Sequence, residues 1–235
     1  MAVAQKACKG ESVVLACDKY ESPNLNVVGL AELHQFGLNV RDILSRIREL
    51  DRQLYSQTCQ GVGSLRQWLP IFSQNPETWR AVLAGNRDLA AYWQTAVVED
   101  DLYFGLKSGM SGEAKLLASP YKNLNQRGVY NLYFVSICVS PRFRGVETNL
   151  ALIESFFSVL DRLAGEEVFF KEITGSVCSP DGEQICRTFR LDYLRDNSIG
   201  KIYSGSVGRV IDRFKGPLGA RFPRLLQRYY SAGLC

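Results

Sequence analysis

The chain has 235 residues, of which 46% are apolar and 22% charged, and its formal net charge is +4. This length and composition are typical of one large globular domain with a sizeable core, and no stretch approaches the ~20 consecutive apolar residues of a membrane helix. The first twenty residues contain several charges and no long apolar segment. We therefore expect no secretory signal and a cytoplasmic location.

The seven cysteines are irregularly spaced, without a C-x-x-C motif, and the sequence contains one histidine, His34. This pattern predicts reduced thiols, as in a cytosolic protein, and no structural metal site. A Ser-His-Asp or Cys-His hydrolase would need His34 as its base. The residues around His34 include no nucleophile motif, so this class of enzyme is not expected.

The N-terminal half begins with a weakly patterned segment, residues 1–38. Apolar residues then recur at helical spacing and predict an amphipathic helix over 39–57. Gly61 and Gly63 end this pattern, and Ser64 precedes an apolar turn as a helix N-cap would. We therefore predict a second, shorter helix after Ser64.

From Trp79 the apolar period changes toward that of strands. The segments "WRAVLA" (79–84), "LAAYWQTAVV" (89–98) and "LYFGLKSG" (102–109) are predicted to form an antiparallel meander. Its last turn would hold three adjacent acids, Glu99, Asp100 and Asp101. Acids in a turn are ordinary solvated residues, and here they could also attract a cationic amine.

The remaining elements alternate between strands and helices. We predict a strand over 129–140, a helix over 147–164, a strand over 166–177, a short helix over 179–190 and a last strand over 200–211. This order predicts an α+β fold with a mixed, largely antiparallel central sheet flanked by helices, and not a doubly wound parallel sheet.

The connection between the strand 129–140 and the long helix contains Arg142, Arg144 and Gly145. A helix N-terminus presents backbone N–H groups and a positive dipole end, so a basic loop at this place is suited to a phosphate. Glu147 opposes this interpretation, because a carboxylate repels a diphosphate. It also suits the first turn of a helix.

The segment "VSICVSPRFRGVETNLALIESFFSVL" (135–160) resembles the acyl-coenzyme A segment of the GCN5-related N-acetyltransferase (GNAT) superfamily. That segment is a strand, a proline and a loop Q/R-x-x-G-x-G/A that enters a helix. Arg144 matches the motif, whereas Glu147 and Asn149 replace its glycines. With neighbouring elements, the resemblance covers roughly residues 40–208. It implies an acyltransferase domain over 39–208, between the segment 1–38 and a basic tail, 209–235.

The resemblance also implies a cofactor, acetyl-CoA or another acyl-CoA, whose thioester is attacked directly by an amine. The strand would offer backbone groups to the pantetheine, and the N–H groups of residues 144–149 would hold the pyrophosphate. The implied cofactor-binding residues are Ile137, Cys138, Val139, Arg142, Arg144, Gly145, Val146, Glu147, Thr148 and Asn149.

Catalysis in the superfamily uses a general base and an acid, and that acid is often a tyrosine on the late short helix. Here the aligned residue is Cys186, with Tyr193 and Tyr203 as substitutes. Glu172, on a predicted strand, is one candidate base, and a half-buried carboxylate could have the raised pKa that a base needs. Another candidate is the acidic cluster of residues 99–101, which would also bind the substrate amine.

The C-terminal part, from Lys201 onward, has seven Lys or Arg residues against one acid, Asp212. No nucleic-acid-binding signature accompanies this charge, so nucleic acid is not an expected partner. Prolines and glycines predict irregular structure around a short helix at 223–230. Two functions remain open: an N-acyltransferase of a small-molecule or protein amine, or a non-catalytic GNAT-like protein whose basic tail binds a partner. A homodimer is compatible with both.

Overall fold

A computed structural model describes residues 24–55, 63–85 and 87–235. Its strands are β1 Leu25–Val28, β2 Trp79–Ala84, β3 Asp88–Ala96, β4 Gly128–Val139, β5 Val168–Val177, β6 Asp192–Asp196 and β7 Lys201–Ser206. Its helices are α1 Val40–Tyr55, α2 Leu65–Gln74, α3 Asp100–Lys107, α4 Val146–Gly165, α5 Pro180–Thr188, α6 Val207–Leu218 and α7 Leu225–Ser231. The described strands form one sheet in the order β1-β2-β3-β4-β5-β7-β6.

Neighbouring strands of this sheet are antiparallel except β4 and β5, which are parallel. The parallel pairing runs from Gly128 opposite Val168 to Phe134 opposite Gly175, and stops there. Beyond that point β4 pairs with β3 and β5 pairs with β7. The two strands therefore diverge and leave a gap in the middle of the sheet.

Helices cover both faces of the sheet. On one face, α1 and α2 bury Ile43, Leu44 and Phe72 against Trp79 and Tyr92. The core of the other face is built around α4, with α5, α6 and α7 beside it. This is the predicted α+β class, with a largely antiparallel sheet flanked by helices. None of the helices in the described ranges is long and apolar enough to cross a membrane.

The helices α1, α2 and α4 confirm their predictions. Ser64 caps α2: its side chain accepts the backbone N–H of Gln67, and the Gln67 side chain accepts the N–H of Ser64. In α4 the stripe that includes Leu152, Phe156 and Leu160 is buried, as helical periodicity requires. Burial of each such side chain contributes about 1.5–3 kcal/mol to stability.

The prediction of a strand over 102–109 is wrong, because this segment forms the helix α3. Its buried side chains are Tyr103 and Leu106, which are three residues apart, as on one face of a helix. The segment is short, and over so few residues a helical spacing is easily taken for the alternation of a strand. The acids 99–101 therefore form the N-terminus of a helix and not a hairpin turn, and their charge complements the helix dipole there.

Further differences lie at the chain ends and after α5. The strands β1 and β6 were not predicted, and the predicted strand over 200–211 ends at Ser206, whose side chain caps α6. The helix α6 replaces the irregular structure expected there and extends past the predicted domain boundary at residue 208. The buried tail residues share the core of α4: Val210, Ile211, Leu218, Leu225 and Tyr229.

Candidate functional site

A cavity of about 1020 Å³ opens where β4 and β5 diverge. On the α4 face its lining includes Arg144, Asn149 and Cys186. On the α1 face its lining includes Asp51 and Glu113. The gap in the sheet therefore connects two chemically different halves of one cavity.

The loop that joins β4 to α4 leaves the N-terminus of this helix without a side-chain cap. Gly145 is the N-cap residue, whereas serines cap α2, α5 and α6. The first N–H groups of a helix have no acceptor within the helix, so they are available to an anion. A Cβ built at Gly145 would have no atom within 4 Å, which shows open space at this point.

Two arginines flank this helix start in exposed ion pairs. Arg144 Nη2 lies 3.1 Å from Asp181 Oδ2, and Arg142 Nη2 lies 3.8 Å from Asp88 Oδ2. Exposed pairs of this kind contribute little to stability. Each guanidinium can therefore turn toward a phosphate at small cost.

The residues predicted to bind the cofactor lie together around this loop. Ile137, Cys138, Val139, Arg144 and Asn149 line the cavity. The remaining five form the loop and first turn beside it: Arg142, Gly145, Val146, Glu147 and Thr148, of which Thr148 is buried. The structure thus brings all ten to the region where β4 ends and α4 begins.

Cys186 is the only residue of the predicted catalytic set, Glu172, Cys186 and Tyr203, that lines the cavity. It is 7% exposed and has a free thiol. Burial, and then the charge of Glu183, raise the pKa of this thiol to about 12. A thiol with such a pKa is a poor proton donor to a leaving thiolate, whose own pKa is about 8.5.

Glu172 lies on the face of β5 that packs against α3, outside the cavity lining. Its Oε1 accepts Lys107 Nζ at 2.5 Å and its Oε2 accepts the Tyr103 hydroxyl at 2.9 Å. Burial alone would raise the pKa of the carboxyl, but these hydrogen bonds outweigh it and hold the pKa below the ordinary value. The expectation that Glu172 has the raised pKa of a general base is therefore wrong.

Tyr203 is also outside the cavity lining, and its hydroxyl lies 3.4 Å from Glu183 Oε2. Burial, and then the charge of Glu183, raise its pKa. Tyr193 packs edge-to-face on Tyr203 at 5.8 Å between ring centroids and is half exposed. Neither tyrosine is placed where it would contact a molecule in the cavity.

The acidic cluster of Glu99, Asp100 and Asp101 also lies apart from the cavity lining. Its partner is Lys122, whose Nζ lies 2.9 Å from Asp100 Oδ1 and 3.6 Å from Glu99 Oε2. The structure therefore accounts for these acids by their interaction with the dipole of α3 and by local ion pairing.

Sequence analysis missed Asp51, a 9% exposed acid on the sheet-facing side of α1. Its Oδ1 accepts the hydroxyl of Tyr92, and Ser136 Oγ lies 2.8 Å from the same hydroxyl. Burial raises the pKa of Asp51 to about 6, against the opposing effects of Tyr92 and Arg48. The signal was present, because Asp51 follows Ile47 by four residues on the apolar stripe of the helix.

Glu113 is a second missed carboxylate, in the 3₁₀ helix Glu113–Leu117. Its Oε1 accepts the Tyr133 hydroxyl at 2.7 Å. Burial raises its pKa more than this hydrogen bond lowers it. Tyr133 directly precedes Phe134, the last β4 residue paired with β5, so Glu113 lies near the apex of the gap. The glycine-bearing loop around it has no pattern from which this placement could be predicted.

These groups form a polar row along the α1 face of the sheet, consisting of Asp51 with Tyr92, then Gln94, then Glu113 with Tyr133. Tyr92, Gln94 and Ala96 are successive residues on the same face of β3, each two positions from the last. Tyr133 lies opposite Ala96 on β4. Residues two apart on a strand are about 7 Å from each other. The cavity floor therefore holds two carboxylates, the buried Asp51 and the half-buried Glu113, with the amide of Gln94 between them.

Comparison with solved structures yields proteins of similar architecture at low sequence identity. Naa50 of Arabidopsis thaliana, in complex with a bisubstrate analogue, is 11% identical, with a TM-score of 0.46 over 77% of this chain and 98% of that chain. A mosquito arylalkylamine N-acetyltransferase-like protein, 5b, is 13% identical, with a TM-score of 0.46 over 78% and 99%. Chaetomium thermophilum Naa20, also with a bisubstrate analogue, is 10% identical, with a TM-score of 0.45 over 80% and 89%.

No family model and no curated protein matches the sequence. The strand order and the divergence of β4 from β5 confirm the α+β class with a largely antiparallel central sheet that the sequence predicted. Likenesses at this level concern the fold alone. The site must therefore be interpreted from its own residues.

Proposed function

We propose that this protein is an acyl-CoA-dependent N-acyltransferase of the GNAT superfamily. The observation that carries the proposal is the divergence of β4 from β5, which begins beside the half-buried carboxylate of Glu113 and leads to a helix N-terminus without a side-chain cap. A donor and an acceptor can thereby meet within one cavity from opposite faces of the sheet.

The residues around the β4–α4 loop fit a coenzyme A diphosphate. The N–H groups at the start of α4 would hold its oxygens, and Arg142 and Arg144 would supply positive charge. Ile137 to Val139 lie in the part of β4 that has no β5 partner, so their backbone groups can bind the amides of the pantetheine. Glu147 opposes the diphosphate, so backbone groups must carry much of the binding.

Acyl-CoA supplies an acyl group activated as a thioester, and an amine must lose a proton as it attacks. Glu113 is our candidate for the general base, because it lines the cavity near the apex of the gap and burial raises its pKa above the ordinary value of a carboxyl. Asp51 lies farther along the polar row. Glu172 is engaged by Lys107 outside the cavity.

Thermal unfolding with acetyl-CoA, octanoyl-CoA and free CoA tests the donor site. We expect a rise in Tm with at least one acyl-CoA, since a ligand that binds the folded state stabilises it. Arg144→Glu should reduce that rise, whereas Arg127→Glu, an exchange of an exposed arginine paired with Glu167, should preserve it. Absence of any shift with all three ligands would refute the proposal.

Glu113→Gln tests the base separately from donor binding. With an accepted amine, the variant should lose about 10²-fold or more in kcat and keep its stabilisation by acyl-CoA. In the wild-type protein, activity should fall as pH drops through a raised carboxyl pKa, because the base must be deprotonated. An unchanged kcat and pH profile in the variant would exclude Glu113 from this role.

The alternative, a non-catalytic protein with a partner-binding basic tail, has less support. Five of the seven basic residues from Lys201 onward form ion pairs within the chain: Lys201, Arg209, Lys215, Arg221 and Arg228. The same segment also buries Val210, Ile211 and Tyr229 in the core around α4, so it is part of the folded domain and not a free partner-binding arm.

A further inference from the structure

Two hydrogen-bond donors in the α1 half of the cavity lack acceptors. Gln94 is 5% exposed, and its Nε2 is buried without a hydrogen-bond partner. The Nε of Arg48 on α1 is also buried without one. Both residues line the cavity. A buried donor without an acceptor costs about 1–3 kcal/mol, so two such groups at one cavity wall require an explanation.

The surroundings of Arg48 leave its guanidinium with capacity for a ligand. Among the described residues, no carboxylate oxygen lies 4.0 Å or less from the Arg48 guanidinium, so Arg48 forms no ion pair there. Asp51, one helical turn away, attracts Arg48 but directs an oxygen to the hydroxyl of Tyr92. The terminal torsion of Gln94 is soft, so a small rotation turns its amide toward the cavity.

The walls and charges of the same half define what else a ligand must carry. Apolar side chains surround the polar row there: Leu44, Ile47, Trp68, Phe72 and Leu117. Glu113 follows Gln94 in the polar row and offers a carboxylate to an amine near the apex of the gap. Asp51 partly offsets the charge of Arg48, so the oxygen that the two donors accommodate can belong to a carboxylate or to an amide.

We propose that the acceptor is a small α-amino acid-type amine, with an apolar side chain, whose carboxylate or amide oxygen is bound by Gln94 and Arg48. This inference rests on the proposed function for its reaction, but the binding pocket stands on the two unpartnered donors. The amine points to Glu113, the oxygen to the donors, and the side chain to the apolar wall.

Three acceptors of equal apolar size test the proposal: L-leucine, L-leucinamide and 3-methylbutylamine, which lacks the oxygen-bearing group. With acetyl-CoA as donor and release of free thiol as readout, leucine or leucinamide should exceed 3-methylbutylamine at least about tenfold in kcat/KM, calculated for the unprotonated amine because the three amines differ in pKa. Preference for leucine identifies a carboxylate, and preference for leucinamide identifies an amide carbonyl. Equal rates with all three would overturn the proposal.

Gln94→Met and Arg48→Met should reduce that preference about tenfold or more, mainly through KM. The matched controls are Gln53→Met and Arg52→Met, exposed residues of α1 that contact Glu49 and should keep the preference. Gln94→Met removes a buried donor that has no acceptor, so the variant should fold with a Tm at least as high as that of the wild type. A preference that survives in both cavity variants would contradict the assignment.

Binding of leucine and leucinamide to the unreacted protein, measured by calorimetry with and without free CoA, separates this inference from the donor site. If acyl-CoA stabilises the protein but neither compound binds or reacts, the acceptor proposal fails and the donor site stands. If acyl-CoA does not bind, but leucine or leucinamide binds and Gln94→Met abolishes binding, the pocket stands and the acyltransferase proposal fails.

Discussion

Asp51 shows how burial changes the protonation of a single side chain and, with it, the stability of the protein. Its carboxyl has a folded-state pKa of about 6 against an ordinary 3.8, so the folded state binds a proton more tightly than the unfolded state. Stability from this group is therefore fully present below pH 3.8 and is lost as pH rises through 6. The rise in pKa corresponds to roughly 3 kcal/mol.

Asp51→Asn should consequently stabilise the protein at pH 7.5 by up to about 3 kcal/mol, because it keeps the polar group and removes the buried charge. The gain should shrink as pH falls through 6 and vanish near pH 4, where the wild-type carboxyl is protonated. Urea unfolding at these pH values measures it. Asp88→Asn, at an exposed carboxyl, is the control, and a gain independent of pH would contradict the explanation.

Residue roles were the part of the site that the sequence predicted least well. The sequence singles out Arg144 and the loop around it because a helix start with basic residues has a local pattern, and the structure places this loop beside the cavity. Glu113 was missed because its position depends on a hydrogen bond to Tyr133, twenty residues away. Glu172 was assigned a raised pKa because its partner Lys107 lies on a helix that was predicted as a strand.

At the scale of elements, α4 begins without a stabilising side-chain cap, and its first backbone N–H groups are left open to a ligand. Gly145 has φ 177° and ψ 171°, an extended conformation that any residue adopts, and open space surrounds it. Nothing in the local backbone therefore requires glycine there. Serine is a good N-cap in this conformation and would accept one of the exposed N–H groups.

Gly145→Ser should therefore increase the unfolding free energy by a few tenths of a kcal/mol and raise Tm slightly. It should also weaken acyl-CoA binding, because the serine oxygen competes with phosphate for the N–H groups. The measurement is the Tm of the free protein together with its shift at saturating acyl-CoA. Gly145→Ala, which adds a methyl group without an acceptor, is the matched control. Equal acyl-CoA shifts in the two variants would show that these N–H groups do not bind the donor.

At the scale of the whole molecule, the tail is part of the folded core. Val210 and Ile211 of α6 and Tyr229 of α7 are buried with α4, and the Tyr229 hydroxyl accepts the backbone N–H of Phe170 at 3.2 Å. The sequence suggested an appended segment because its prolines, glycines and basic residues are conspicuous. The role of its apolar residues depends on the surface of α4, against which they pack, and this surface is distant in the sequence.

Deletion of residues 209–235 should thus abolish cooperative unfolding, since it removes several fully buried side chains that each contribute about 1.5–3 kcal/mol. Circular dichroism during heating measures this loss. The matched control is Arg213→Ala with Arg224→Ala, which lowers the basic charge of the tail and leaves its buried residues in place. A truncated protein that unfolds cooperatively at the wild-type Tm would contradict the assignment of the tail to the core.

The fold was predictable where periodicity spans a whole element, as in α1, β4 and α4. It was not predictable for β1 and β6, which are short and owe their existence to pairing with distant strands. The half of the cavity on the α1 face belongs to this second category. It is assembled from α1, β3, β4 and a 3₁₀ helix, and no single segment carries its pattern.

The separation of β4 from β5 also has a consequence for the order of events in solution. A gap that admits one molecule from each side of the sheet lets both be present together, so neither has to depart before the other arrives. Initial velocities measured against both concentrations should then give intersecting reciprocal lines. Parallel lines, in contrast, would require a side chain of the protein to take the acyl group covalently and CoA to leave before the amine arrives.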